Sequence, residues 1–236
     1  MEISLNPTVM KFGGTSVEDA SAFERVAEIV QSKAGARPIV VVSAMSRFTD
    51  ALLCSVERAS SGDAETATRE LDAQFERHTE VARALLGQEA RAEVWSAISA
   101  ARREISELLR IISHHPVTRP PLQDDIVSYG ERLSALLLAA VLSARGVSAR
   151  YADARRCIIT DDEYGNASPL HQETGAATRR ELLPLIEELV VPVLGGTVIG
   201  LAIHVVIVVV VFVLGGRVVL FAIAVVVMIV IRAGRG

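Results

Sequence analysis

The chain has 236 residues, half of them hydrophobic, and a formal net charge of −4 at pH 7. That is enough for one large α/β domain or two small ones. All 28 acidic residues lie in residues 1–196, and this acidic body has no basic stripe, which argues against nucleic acid as a partner. Met1 to Phe12 has no apolar core of a signal peptide, so a cytoplasmic setting is expected. Cys54 and Cys157 lack CxxC spacing and read as reduced thiols, and the five histidines form no metal-ligand spacing. His114-His115 before Pro116 reads as an exposed loop.

Lys11 is one of two lysines against 22 arginines. It ends a short strand, Val9 to Phe12, and precedes Gly13-Gly14-Thr15-Ser16, where Thr15 or Ser16 is the expected N-cap of an amphipathic helix running to about Lys33. Strand, glycine turn and helix N-terminus is how a backbone builds a phosphate site, with a lysine as a mobile point charge. By itself the motif is equally a tight turn beside a surface charge.

Ile39 to Val42 is a β-branched run without polar alternation, the pattern of a parallel strand buried on both faces. Ser43, Ser46 and Thr49 then fall at its carboxyl end, where ligands gather in open α/β sheets, unless these hydroxyls only cap the helix expected from Asp50 onward. Residues 63 to 112 carry apolar positions at helical spacing and predict a helical hairpin broken at Gly87, with Trp95 in its packing and a loop through Pro116, Pro120 and Pro121. The next helix is expected from about Asp124 to Arg145, with Gly146 as its cap. Gly130 inside it costs about 1 kcal/mol relative to alanine, which suggests close approach by another group, with Glu131 alongside or simply solvated. Strands are expected at 149–152, 157–160 and 190–194, and a helix weakened by Pro184 over 171–188. The alternation predicts a mostly parallel, doubly wound sheet.

In their order along the chain, Lys11-Phe12-Gly13-Gly14-Thr15-Ser16, Val41-Val42-Ser43-Ala44-Met45-Ser46 and Gly130-Glu131-Arg132-Leu133-Ser134 strongly resemble aspartate kinases. Thr160-Asp161-Asp162, Asn166-Ala167-Ser168-Pro169 and Val191-Pro192-Val193-Leu194-Gly195-Gly196 continue the pattern, so the resemblance covers residues 9 to 196. It implies the α/β, three-layer α/β/α sandwich of the amino-acid kinases, here incomplete, with residues 63–121 as a helical insertion. It also implies transfer of the γ-phosphoryl of ATP, with Mg²⁺, to the side-chain carboxylate of L-aspartate, the first step toward lysine, threonine and methionine. Carried over, Lys11 would be catalytic, Lys11, Phe12, Gly13, Gly14 and Thr15 would hold the phosphates, and Ser43, Thr49 and Glu131 would hold aspartate. Arg47-Phe48 departs from the small and aliphatic pair usual in the family, which would narrow the aspartate pocket. Intact members form homo-oligomers. Two other readings remain: an amino-acid kinase acting on glutamate or acetylglutamate, or a membrane-tethered, non-catalytic binding module.

After Gly196 the resemblance ends where the family continues with further substrate- and nucleotide-binding segments. Residues 197–236 are polar only at Thr197, His204 and three arginines. They read as overlong buried strands, as a membrane segment over 198–231, since Val198 to Leu214 holds 14 Val, Ile, Leu or Phe, or as a disrupted reading frame. The abrupt change of composition favours the last, and with it a chain impaired as a kinase.

Overall fold

The computed structural model describes residues 7–164 and 167–196, with the backbone of Phe212–Leu214 and Arg217–Val219. The expectations for the rest of the tail, and for Asn166, fall outside the described residues. Four strands, β1 (Val9–Phe12), β2 (Ile39–Val42), β3 (Ala149–Ala152) and β4 (Val191–Gly195), form one sheet in the order β1-β2-β4-β3, every pair parallel. Two three-residue strands, β5 (Phe212–Leu214) and β6 (Arg217–Val219), make a separate antiparallel pair.

Three layers follow from the alternation of side chains along these strands. Phe12, Val40, Val42 and Val193 face the larger apolar cluster, which also takes in helices α1 (Ala20–Ser32), α2 (Phe48–Ser60), α5 (Gln88–His114) and α6 (Arg119–Ala144). Ile39 and Leu194 face the other way, onto Leu182 and Ile186 of α7 (His171–Glu187) and onto Cys157. The parallel sheet expected from the strand pattern and the three-layer α/β/α sandwich implied by the resemblance are therefore both present.

The core helix is α6. Leu137, Leu138 and Leu142 are fully buried along it, each contributing roughly 1.5–3 kcal/mol of apolar burial. The stretch Pro116–Ala144 is long and apolar enough to cross a membrane by composition, but 67% of its most apolar window is buried inside the protein, as a core helix requires.

Several boundaries differ from those read in the sequence. Thr15 and Ser16 lie in a 3-10 turn, Gly14–Val17, and α1 is capped instead by Asp19, whose carboxylate accepts from the Ala22 amide at 2.8 Å. α2 starts at Phe48, after Arg47 in the left-handed region at φ 69°. The expected hairpin is three helices, α3 (Ala64–Glu70), α4 (Asp72–Leu85) and α5, because a break at Leu71 precedes the one at Gly87. α6 begins at Arg119, not Asp124. Pro120 and Pro121 sit in its first turn, where the missing N–H has no intrahelical partner to lose. The apolar 157–160 segment is not a strand: Ala154–Arg156 is a 3-10 turn and Thr160 makes only an isolated bridge to Pro169. Pro184 is accommodated inside α7.

Candidate active site

All four strands run parallel, so their carboxyl ends share one edge of the sheet, where ligands gather in open α/β folds. The register places Lys11 opposite Val41, Phe12 opposite Val42, and Val42 opposite Gly195. The ladder continues one step further, with the Ser43 amide donating to the Phe12 carbonyl at 3.0 Å and the Gly196 amide to the Val42 carbonyl at 2.7 Å. Ser43 and Gly196 thus stand level with Gly13, two residues beyond Lys11 toward the carboxyl edge of the sheet.

The two glycines at the end of β4 have separate physical reasons. A Cβ on Gly195 would lie 2.9 Å from the Glu131 Cβ and 3.1 Å from its carbonyl carbon, so α6 can press Glu131 against the strand end only because that Cβ is missing. A Cβ on Gly196 would lie 3.2 Å from the Lys11 Nζ. Lys11 shares a sheet face with Val9, which packs on the α7 side, while Gly195 faces α6. The Lys11 ammonium and the Cβ and backbone of Glu131 therefore border the same glycine pair from opposite faces of the sheet. Lys11 is exposed, and Glu131 is 7% exposed.

Ala44 binds the three motif segments together. A Cβ on Gly14 would sit 2.7 Å from the Ala44 carbonyl oxygen, and one on Gly130 would sit 2.8 Å from the Ala44 Cβ. The Gly14 carbonyl also accepts from the Ser46 amide at 3.2 Å. The close approach expected at Gly130 is thus made by the β2–α2 turn. Ser43 and Thr49 are half-buried on that turn and in the first turn of α2, and Gly13 and Thr15 are exposed.

Phe12 is 6% exposed with its ring in the core, leaving only its backbone at the site. Phe48 is fully buried, edge-on to Phe75 with centroids 5.7 Å apart, so it fills the interior and does not narrow a pocket; Arg47 is exposed. The expected anion site is not a helix N-terminus, since Asp19 caps the start of α1. The glycine turn and the amides of the 3-10 turn remain as its backbone elements.

Beside β3, Arg155 forks onto Asp153 with contacts of 2.7–3.2 Å. Burial raises the Asp153 pKa, but the bonds from Arg155 outweigh it and hold the carboxyl below its usual value. Burial pushes the Cys157 thiol up to about 11, which makes it a poor nucleophile, and Cys54 is an exposed free thiol. Among the described residues no group of three or more His, Cys, Asp or Glu could hold a metal ion.

Sequence reading missed Arg77, which reaches from α4 to two of the site's turns. One arginine among 22 gives no signal, and its partners on those turns are backbone carbonyls.

Residues 6–216 match the amino acid kinase family, 20 residues beyond the point where the motifs end. The chain is 34% identical over 185 residues to lysine-sensitive aspartokinase 3 of Escherichia coli, covering 76% of this chain and 38% of that protein. It is 31% identical over 191 residues to the chloroplastic aspartokinase 1 of Arabidopsis thaliana, covering 80% and 32%. The structure of E. coli aspartokinase III in complex with aspartate and ADP, in its R-state, superposes with a TM-score of 0.72 at 31% identity, over 81% of this chain and 40% of that one. The T-state complex of the same enzyme with lysine and aspartate gives a TM-score of 0.72 at 30% identity, over 84% and 44%. The chain spans well under half the length of these relatives.

Proposed function

The chain belongs to the amino acid kinase family, and we propose that residues 9–196 carry the L-aspartate side and part of the phosphate side of an aspartate kinase. The observation that supports this most is the pair Gly195-Gly196, bordered by Glu131 on one face and the Lys11 ammonium on the other.

In this reading Glu131 pairs with the substrate ammonium, and Ser43 and Thr49 offer hydroxyls to its carboxylates. Lys11 neutralises the transferring phosphoryl group, and the Gly13-Gly14 turn lets an anion approach the backbone. ATP supplies the phosphoryl group. The acceptor carboxylate is already ionised at neutral pH, so the chain needs no general base. Its residues work by positioning and charge neutralisation around a loose phosphoryl transition state. Mg²⁺ belongs to the reading only as an ion carried by the nucleotide phosphates, since the described residues offer no carboxylate cluster for it. The cytoplasmic setting and the lysine, threonine and methionine branch belong to the same reading.

The test is a calorimetric titration of the full chain with L-aspartate, L-glutamate and N-acetyl-L-glutamate. Selective binding of L-aspartate is expected, and equal or preferential binding of either comparator would overturn the assignment.

A further inference from the structure

α4 is seated on the start of α2. Its Phe75 meets the Phe48 ring edge-on, and its buried His78 lies over the same ring at 4.9 Å. This fixes the half-buried Arg77 between the two turns that carry the candidate site. Arg77 Nη1 donates to the Ser46 carbonyl at 2.7 Å and to the Gln74 side-chain oxygen at 2.7 Å, while Nη2 donates to the Glu18 carbonyl at 2.9 Å. Ser46 lies on the turn with Ser43 and Thr49, and Glu18 follows the turn with Gly13, Gly14 and Thr15. The Ser46 amide reaches back to the Gly14 carbonyl, so the guanidinium closes a second link between the same two turns.

A guanidinium can do this because its donors diverge in a rigid plane; an ammonium is a point charge and does not reproduce that fork. The two carbonyls belong to backbone segments 28 residues apart in sequence that the sheet has already brought side by side. The fork sets how far they stand apart.

We propose that Arg77 is a positioning residue: by bonding the Glu18 and Ser46 carbonyls it fixes how the glycine turn and the substrate turn are set against each other, and so makes the helical insertion part of the site. The functional consequence rests on the aspartate-kinase reading above; the coupling of the two turns does not.

The experiment compares the full chain with Arg77→Met and Arg77→Lys, by amide hydrogen exchange without ligand and by L-aspartate calorimetry. In Arg77→Met, amides of residues 13–18 and 43–49 are expected to exchange together about tenfold faster, the size of loss expected for charge-assisted bonds, while those of 137–142 in α6 keep their protection. L-aspartate affinity falls by about the same factor. Arg77→Lys restores the protection of at most one turn. Unchanged exchange in both turns, or equal acceleration throughout α6, would show that Arg77 does not couple the turns or only supports the fold. Faster exchange with unaltered aspartate affinity would remove its positioning role. If the unaltered chain binds no L-aspartate, the kinase reading fails, and the exchange data still decide whether Arg77 joins the turns.

Discussion

The helix glycine Gly130 and the turn residue Ala44 are in contact so close that a Cβ on Gly130 would stand 2.8 Å from the Ala44 Cβ. Ala44 cannot withdraw freely, since its carbonyl is pressed by Gly14 on its other side. Gly130→Ala gains about 1 kcal/mol of helix propensity and incurs about 1–3 kcal/mol of overpacking. A net destabilisation of about 1 kcal/mol is expected from urea unfolding. Adding Ala44→Gly to Gly130→Ala should recover the overpacking part, giving a coupling of about 2 kcal/mol in the double-mutant cycle. Strictly additive effects would mean that the contact carries no energy.

His78 gives the protein a pH dependence of its own. Burial lowers its pKa from 6.5 to about 4, against the opposing bond to the Gln74 carbonyl, with the Arg77 charge adding to the depression. Because the folded value lies below the unfolded one, the unfolded chain takes up a proton first. The full stability is present above pH 6.5 and declines as the pH falls toward 4. Between pH 7.5 and 5 the loss from this group is about 2 kcal/mol. Denaturation midpoints for the natural chain and His78→Leu across that range provide the check: the loss should shrink in the variant, and parallel curves would exclude His78 as its source.

Lys11 and Lys33 are the only lysines, which makes the phosphate assignment accessible to amine labelling. Inorganic pyrophosphate or MgATP is expected to protect Lys11 from acylation while Lys33 reacts as before, read by mass spectrometry. Equal labelling of the two with and without the anion would take Lys11 out of the site. Wherever phosphoryl transfer is measurable, Lys11→Ala should lower turnover by about 10²–10³ with little change in aspartate affinity, because a charge on the transferring group acts mainly in the transition state.

The elements that sequence patterns located are those whose cause is local. Ile39–Val42 and Val191–Gly195 announce buried strands by composition, and Gly130 announces a close neighbour by its cost in a helix. The identity of that neighbour, Ala44, is tertiary and has no sequence mark. Pro120 and Pro121 read as a loop because proline breaks helices, yet in the first turn of α6 they break nothing. Residues 157–160 have the apolar character of a strand but only a single bridge as partner, and strands are made by pairing. Arg47-Phe48 read as narrowing the aspartate pocket because the resemblance has smaller residues there; the aromatic cluster with Phe75 and His78 draws Phe48 into the core instead.

Whether Glu131 recognises the substrate is the question on which the whole site depends. Its carboxylate is nearly buried at the strand end opened by Gly195. An ammonium held there would lose its compensating charge in Glu131→Gln, a penalty of several kcal/mol before relaxation. The decisive measurement is calorimetric binding of L-aspartate to the full chain and to Glu131→Gln at the same pH and salt. A loss of affinity of at least about tenfold is expected in the variant; equal affinity in the two proteins would contradict a substrate role for Glu131.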